Sequence, residues 1–206
     1  VVFAVIVSIC LIVADAAAPS AVTLGRLERF GGVWRSVEDW PEAQTFPGVL
    51  VFEFRGPLSF ASADWFKEQI EERRCRAEAD DAWRVQVVVL SFYCVTKIDA
   101  TALAMLRELF SAWKGQGVSC IVSNARGQVK KLLQDEFASG PNALLDQSEF
   151  LINISDAVQQ ARRRLASQAR PPPNDSFHVA ATRIQRMYQV WRRQDAVGPS
   201  NTLPAL

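Results

Sequence analysis

From residue 49 onward the apolar and polar positions switch repeatedly between a period of two and a period near 3.6. Residues 49–54 (V-L-V-F-E-F) lie between Pro47-Gly48 and Gly56-Pro57 and predict a strand. Residues 62–76 carry Trp65, Phe66, Gln69 and Ile70 near one face and a charged Glu71-Glu72-Arg73-Arg74 end, which predicts a helix. Residues 85–92 (V-Q-V-V-V-L-S-F) are β-branched and almost continuously apolar, the pattern of a central strand covered on both faces. Asp99 is placed to cap a helix over 100–114, where Ala102, Leu106, Leu109 and Trp113 fall at spacings of four, three and four and Leu103 and Phe110 widen the stripe. Gly115 and Gly117 end it. A short strand at 118–122 follows, then a helix over 127–137 with Val129, Leu132, Leu133 and Phe137 inward. Residues 144–150 read as a loop or short strand, and 155–166 as a helix with Ser155 at its start and Arg162-Arg163-Arg164 at its end, a basic turn that reads as solvated. Strands alternating with helices predict an α/β domain with a mostly parallel or mixed sheet flanked by helices.

The two flanks follow other rules. Residues 17–47 contain Pro19, Gly25, Gly31, Gly32, Pro41 and Pro47, which predicts an irregular linker with short pieces of structure. Before it, residues 1–13 are apolar except for Ser8 and Cys10, and the chain begins with Val1 rather than Met. As a helix those 13 residues rise about 20 Å, short of a hydrocarbon core of roughly 30 Å. A signal peptide and a buried core helix are alternatives. The first lacks a basic leading region, and the second would more often carry a polar face. The expectation is the cytoplasmic-side part of a membrane helix over 1–18, with Arg26, Arg29 and Arg35 outweighing Glu28 behind it. At the other flank Pro171-Pro172-Pro173 forbids helix and closes the domain. Beyond it Phe177, Ala181, Ile184, Tyr188 and Trp191 repeat at four, three, four and three, with Arg183, Arg186, Arg192 and Arg193 supplying charge. That is a basic amphipathic helix over 177–194, suited to a calmodulin-like groove, to docking on its own folded domain, or to an acidic lipid surface.

Composition narrows the function classes. A chain of 206 residues with net charge +1, 49% hydrophobic and 22% charged, is globular and has no general attraction for nucleic acid. Cys10, Cys75, Cys94 and Cys120 form no C-x-x-C pair and read as buried, reduced thiols. His178 is the single histidine and lies beside the proline run, so neither a histidine-based triad nor a multi-histidine metal site is expected. With no P-loop and no G-x-G-x-x-G, the reading is a non-enzyme without cofactor or metal.

L-G-R (24–26), V-W-R-S-V-E-D-W-P-E-A (33–43), P-G-V-L-V-F-E-F-R-G-P-L-S-F-A-S-A (47–63) and I-D-A-T-A-L (98–103), in that order, resemble the sulfate permease (SulP) family of anion transporters. Ser62 stands where that family's last motif usually has asparagine. The resemblance, which covers roughly residues 1–164, implies the end of the last transmembrane helix (1–18), a linker (19–46) and a STAS domain (47–167); a proline-rich linker (168–176), the basic helix (177–194) and a disordered tail (195–206) are expected to follow. It implies a multi-pass membrane protein with STAS domain and tail in the cytoplasm, a regulatory role beside a transport domain that these residues do not include, and a homodimer. Sulfate is the expected anion. The alternatives are a stand-alone STAS phospho-switch that binds a protein partner and a calmodulin-binding adaptor.

Within that resemblance, Asp99-Ala100-Thr101 aligns with the D-S-S/T loop in which bacterial STAS proteins accept phosphate on the second hydroxyl residue. Thr101 is then the phosphoacceptor candidate and Asp99 and Ala100 the helix-cap or anion loop, with Ala100 a departure from the motif. The same helix start with Gly56-Pro57-Leu58 is a candidate shallow anion pocket. The simpler alternative makes Asp99 a cap and Thr101 an ordinary first-turn residue. Ile184-Gln185 match the opening of an IQ motif, while Gln189, Val190 and Gln194 depart from it.

Overall fold

A computed structural model describes residues 3–8, 19–81 and 84–168. The chain divides at Leu165 into two units, and the fold below is that of the first; Ala166, Ser167 and Gln168 complete its last helix. The elements run β1 (Ser20–Leu27), β2 (Val33–Ser36), β3 (Val49–Arg55), α1 (Ala63–Asp81), β4 (Val87–Cys94), α2 (Ala100–Gly115), β5 (Ser119–Ser123), α3 (Gly127–Phe137), β6 (Phe150–Leu151) and α4 (Ile154–Gln168). They build one six-stranded mixed sheet in the order β2-β1-β3-β4-β5-β6. β3 to β6 are parallel; β1 is antiparallel to both β2 and β3.

Alternation along the strands divides the core into two layers. Leu50, Phe52 and Phe54 of β3, with Val88, Leu90 and Phe92 of β4, face α1, α2 and α3. There Phe66 and Ile70, Leu106, Leu109 and Trp113, and Leu133 and Phe137 close over them. Val49 and Val51 of β3, with Val87, Val89 and Ile121, face α4, whose Ile154, Ala157, Val158 and Ala161 form the other layer. The continuous apolar text of β3 and β4 is thus explained, since every apolar residue of those runs meets one layer or the other.

Residues 20–36 differ from the expected irregular linker: they form two strands of the same sheet. Val22 and Leu24 bury their side chains in the α4 layer, and this burial holds in a strand a segment whose glycines and prolines predict irregular structure. Gly25 sits in β1 because residues 41–47 fold back onto it; a Cβ there would lie 2.8 Å from that of Ala43. Three smaller expectations also change. Leu132 is exposed rather than inward; of the three described cysteines Cys75 is exposed, Cys94 half-buried and Cys120 buried, while Cys10 lies outside the described residues; and α4 begins a residue earlier, with Asn153 Oδ1 accepting from Asp156 N–H at 2.8 Å. Ser155 instead accepts a hydrogen bond from Trp34 Nε1 at 2.9 Å, which ties α4 to β2. The basic turn of α4 is engaged as well: Arg164 pairs with the buried Glu149 and Arg162 lies 5.3 Å from the Phe46 ring. Among the described residues no helix is long and apolar enough to cross a membrane. The expected membrane helix falls mostly outside the described residues; residues 3–8 are helical.

Candidate functional site

Because β1 runs against β3, with Ser20 opposite Arg55, the chain enters the sheet at the end where β3 to β6 finish. At that end Gly56 has φ +142°, and a Cβ on it would lie 2.9 Å from Pro19 Cβ. The loops after β3 and β4 are then laced together. Leu58 bridges Ile98 and is fully buried; its N–H donates to Lys97 O at 2.9 Å and its carbonyl accepts from Asp99 N–H at 3.2 Å. Ser62, at the position where the resembling motif has asparagine, accepts from Ser59 N–H at 3.0 Å and donates to Pro57 O at 3.0 Å. A hydroxyl therefore staples this loop just before α1.

Asp99 completes the lacing. One carboxylate oxygen accepts from Ala102 N–H and the other from Phe60 N–H, each at 2.9 Å. The carboxyl is held below the usual aspartate range, chiefly by the Ala102 N–H; partial burial opposes this, and the Phe60 and Thr101 N–H groups and Lys97 add to it. The positive start of α2 is thus filled by an anion of the chain itself, and the backbone of Leu58 is spent on Lys97 and Asp99 in the loop after β4 and the Pro57 carbonyl on Ser62. Ala100 and Thr101 are exposed on the first turn. At the same end of the sheet Phe60 is 74% exposed, Ile152 82% and Tyr93 54%, the last with the Arg126 guanidinium 4.5 Å from its ring centre. Sequence reasoning singled out Asp99, Ala100 and Thr101 and missed Phe60 and Tyr93, whose apolar character reads as core until the strand ends are known.

The structure brings Asp99 and Thr101 together with the Gly56 to Ser62 loop, as a capped helix start with an exposed hydroxyl. Ile184, Gln185, Tyr188, Trp191, Arg183, Arg186, Arg192 and Arg193 lie outside the described residues. Among the described residues no group of three or more His, Cys, Asp or Glu side chains is placed to hold a metal ion. Cavities lie elsewhere, one of about 230 Å³ between β1, β3 and α1, and one of about 260 Å³ where Phe110, Lys114 and Cys120 face Leu145 and Glu149. Burial pushes the Cys120 thiol up, away from the nucleophilic thiolate.

A mixed sheet with three helices on one face and one on the other, and a helix start capped by aspartate after the second parallel strand, defines a fold class that comparison with known proteins identifies. Residues 41–138 match the family model described as the STAS domain. The chain carries a STAS domain, homologous to the STAS regions of sulfate transporters. It is 27% identical over 157 residues to sulfate transporter 4.1, chloroplastic, of Arabidopsis thaliana, a match covering 74% of this chain and 22% of the relative. With sulfate transporter 3.1 of the same plant it is 27% identical over 165 residues, 77% of this chain and 24% of the relative. The chain thus spans about a quarter of the length of the curated relatives it matches. A solved structure of the murine Solute Carrier 26 family member A9 anion transporter, inward-facing, superposes with a TM-score of 0.64 at 20% identity, over 76% of this chain and 24% of that one, and has the same fold.

Proposed function

We propose that this chain is the cytoplasmic regulatory STAS region of a SulP-type secondary anion transporter whose transported anion is sulfate. The observation that carries the reading is the reach of the sulfate-transporter matches. They cover about three quarters of the chain, whereas the STAS model covers residues 41–138, so the likeness to sulfate transporters reaches beyond the residues that the family model matches. The apolar run of residues 1–13, upstream of β1 in the sequence, supports a membrane helix leading into the domain. On this reading the domain is regulatory rather than catalytic, its partner is the transport domain of the same protein, and the assembly is a homodimer. Thr101 is its phosphoacceptor, supported by an exposed hydroxyl on the first turn of α2. Residues 177–194 form a helix that binds a calmodulin-like protein, supported by their apolar stripe and four arginines.

The test is uptake of labelled sulfate by cells that lack their own sulfate transport and express the complete gene product containing these residues. Uptake that saturates with sulfate, and is altered when the STAS region is deleted from a protein that still reaches the membrane, supports the reading. A complete product with no further apolar segments, or one that moves no sulfate and no other anion, overturns it.

A further inference from the structure

β1 leaves β3 partway along the sheet. It pairs with β3 from Ser20 to Thr23, opposite Phe52 to Arg55, and from Leu24 onward with β2. Residues 44–46 run back along the seam that this opens, with Gln44 bridged to Arg26 and Phe46 to Val49. The cavity of about 230 Å³ lies there. Leu24, Val49, Leu50 and Val51 form its buried apolar wall, and Glu38, Thr45 and Arg76 are exposed at its mouth.

α1 sets a charge in this wall. Arg73 is 9% exposed and lines the cavity. Its Nη1 donates to Gln69 at 2.7 Å, and its Nη2 to the Ala21 carbonyl and, at 3.2 Å, to Glu38. Its Nε is buried and has no hydrogen-bond partner among the described residues. The Ser36 hydroxyl is in the same condition, on the residue paired with Leu24 and adjacent to Val37 of the lining. Arg76, by contrast, is held by Glu72 at 2.7 Å. A buried donor on a charged group is costly to leave without an acceptor, so this arrangement calls for one from a bound molecule.

The walls decide what kind of molecule. A hydrated oxyanion such as sulfate needs polar partners on every side, and the valines and leucines here offer none. A dry apolar cavity of about 150 Å³ takes benzene, so about 230 Å³ takes a ring of that size with a carboxylate attached. An ionised donor and an ionised acceptor make the stronger bond, which favours carboxylate over a neutral head. We propose that this seam binds a small monocarboxylate with an apolar body, the carboxylate accepting from Arg73 Nε and the body lying against Leu24, Val49 and Val51. The site uses only the folded domain and does not rest on the transport reading.

The probe is para-fluorobenzoate, followed by fluorine NMR as the intact chain is added. Saturable broadening is expected, with a Kd of about 1 mM or tighter for a ligand of this size. Para-fluorobenzamide, with the same ring and a neutral head, should bind about tenfold more weakly, and equimolar sulfate should displace neither. Two variants probe the two halves of the site. Arg73→Lys keeps the charge but removes Nε from its place, and is expected to weaken benzoate binding about tenfold. Ala77→Phe fills the cavity from the partly buried side of α1 while leaving Arg73 in place, and is expected to weaken it at least as much. Circular dichroism and the thermal midpoint check that each folds, and each variant decides without the other. The proposal is overturned if benzoate does not bind saturably, if the amide binds as tightly, if sulfate displaces the probe, or if either folded variant binds as the parent does.

Discussion

The two faces of the sheet are packed on different principles. On one, three helices bury large rings against the strands: Phe52 and Phe54 meet Phe66 at 5.5 and 5.2 Å, and Phe110 meets Phe137 at 5.0 Å. On the other, a single helix lays Ala157, Val158 and Ala161 on a floor of valines and Ile121. Ring-filled layers bring far more apolar area out of water than alanine-on-valine layers. The thick layer therefore carries most of the domain's stability, and the thin one brings α4 close to the sheet with little holding it. Polar ties supplement the thin layer: Trp34 to Ser155, and Arg164 to the buried Glu149.

The sharpest break in that contrast is Phe137→Ala. Phe137 is fully buried beneath Phe110, and Arg107 lies 5.7 Å from its ring centre. Removing the ring is expected to cost about 3–5 kcal/mol, read as a shift in the urea midpoint without a change in slope. A loss under 1 kcal/mol would show that α3 is not part of the main core. Next in size is Ala161→Leu, which forces three further carbons into the gap between α4 and the sheet at a completely buried position. Overpacking there is expected to cost about 1–3 kcal/mol. The two variants should differ in where the damage appears. Hydrogen exchange should rise throughout the domain for Phe137→Ala but mainly over residues 154–168 for Ala161→Leu, because the thin layer can open while the thick one holds. Uniform exchange in both would collapse the distinction between the faces.

How far the sequence reveals this arrangement differs along the chain. The helix over 127–137 and the cap at Asp99 are legible because each rests on local signals, a glycine start with helical spacing in one case and a capping side chain in the other. β3 and β4 are legible as double-covered strands from their continuous apolar runs. β1 and β2 are not, because glycines interrupt their text and their pairing is set by partners such as Arg55 and Ala43 that are distant in the chain. The start of α4 was displaced for a related reason. Ser155 has the chemistry of a cap, yet Trp34 of β2 claims its hydroxyl and Asn153 takes over the helix end. At the candidate site the Asp99-Ala100-Thr101 triplet is visible as a motif, whereas the Phe60 N–H on Asp99 depends on the loop after β3 and could not be read from spacing.

The smallest expected effect tests that loop. Asp99→Ala removes the acceptor of the Ala102 and Phe60 N–H groups and should destabilise the domain by about 1 kcal/mol at neutral pH, the usual value of a cap. Its pH dependence separates a cap from a bystander. The folded carboxyl is held below its unfolded value of about 3.9, so its contribution is fully present above that value and declines as pH falls through the lower, folded value. The stability difference between the parent and Asp99→Ala should therefore be constant from neutral pH down to about 5 and shrink below about 4. A difference that stayed level across that range would show that the carboxylate charge does no work at the start of α2. A Thr101→Glu variant made alongside should leave stability within about 0.5 kcal/mol, since its side chain is exposed. A much larger loss would mean that the added charge and the Asp99 carboxylate compete for the same helix end, in which case a phosphate on Thr101 would act by loosening the first turn of α2 and freeing the Phe60 loop.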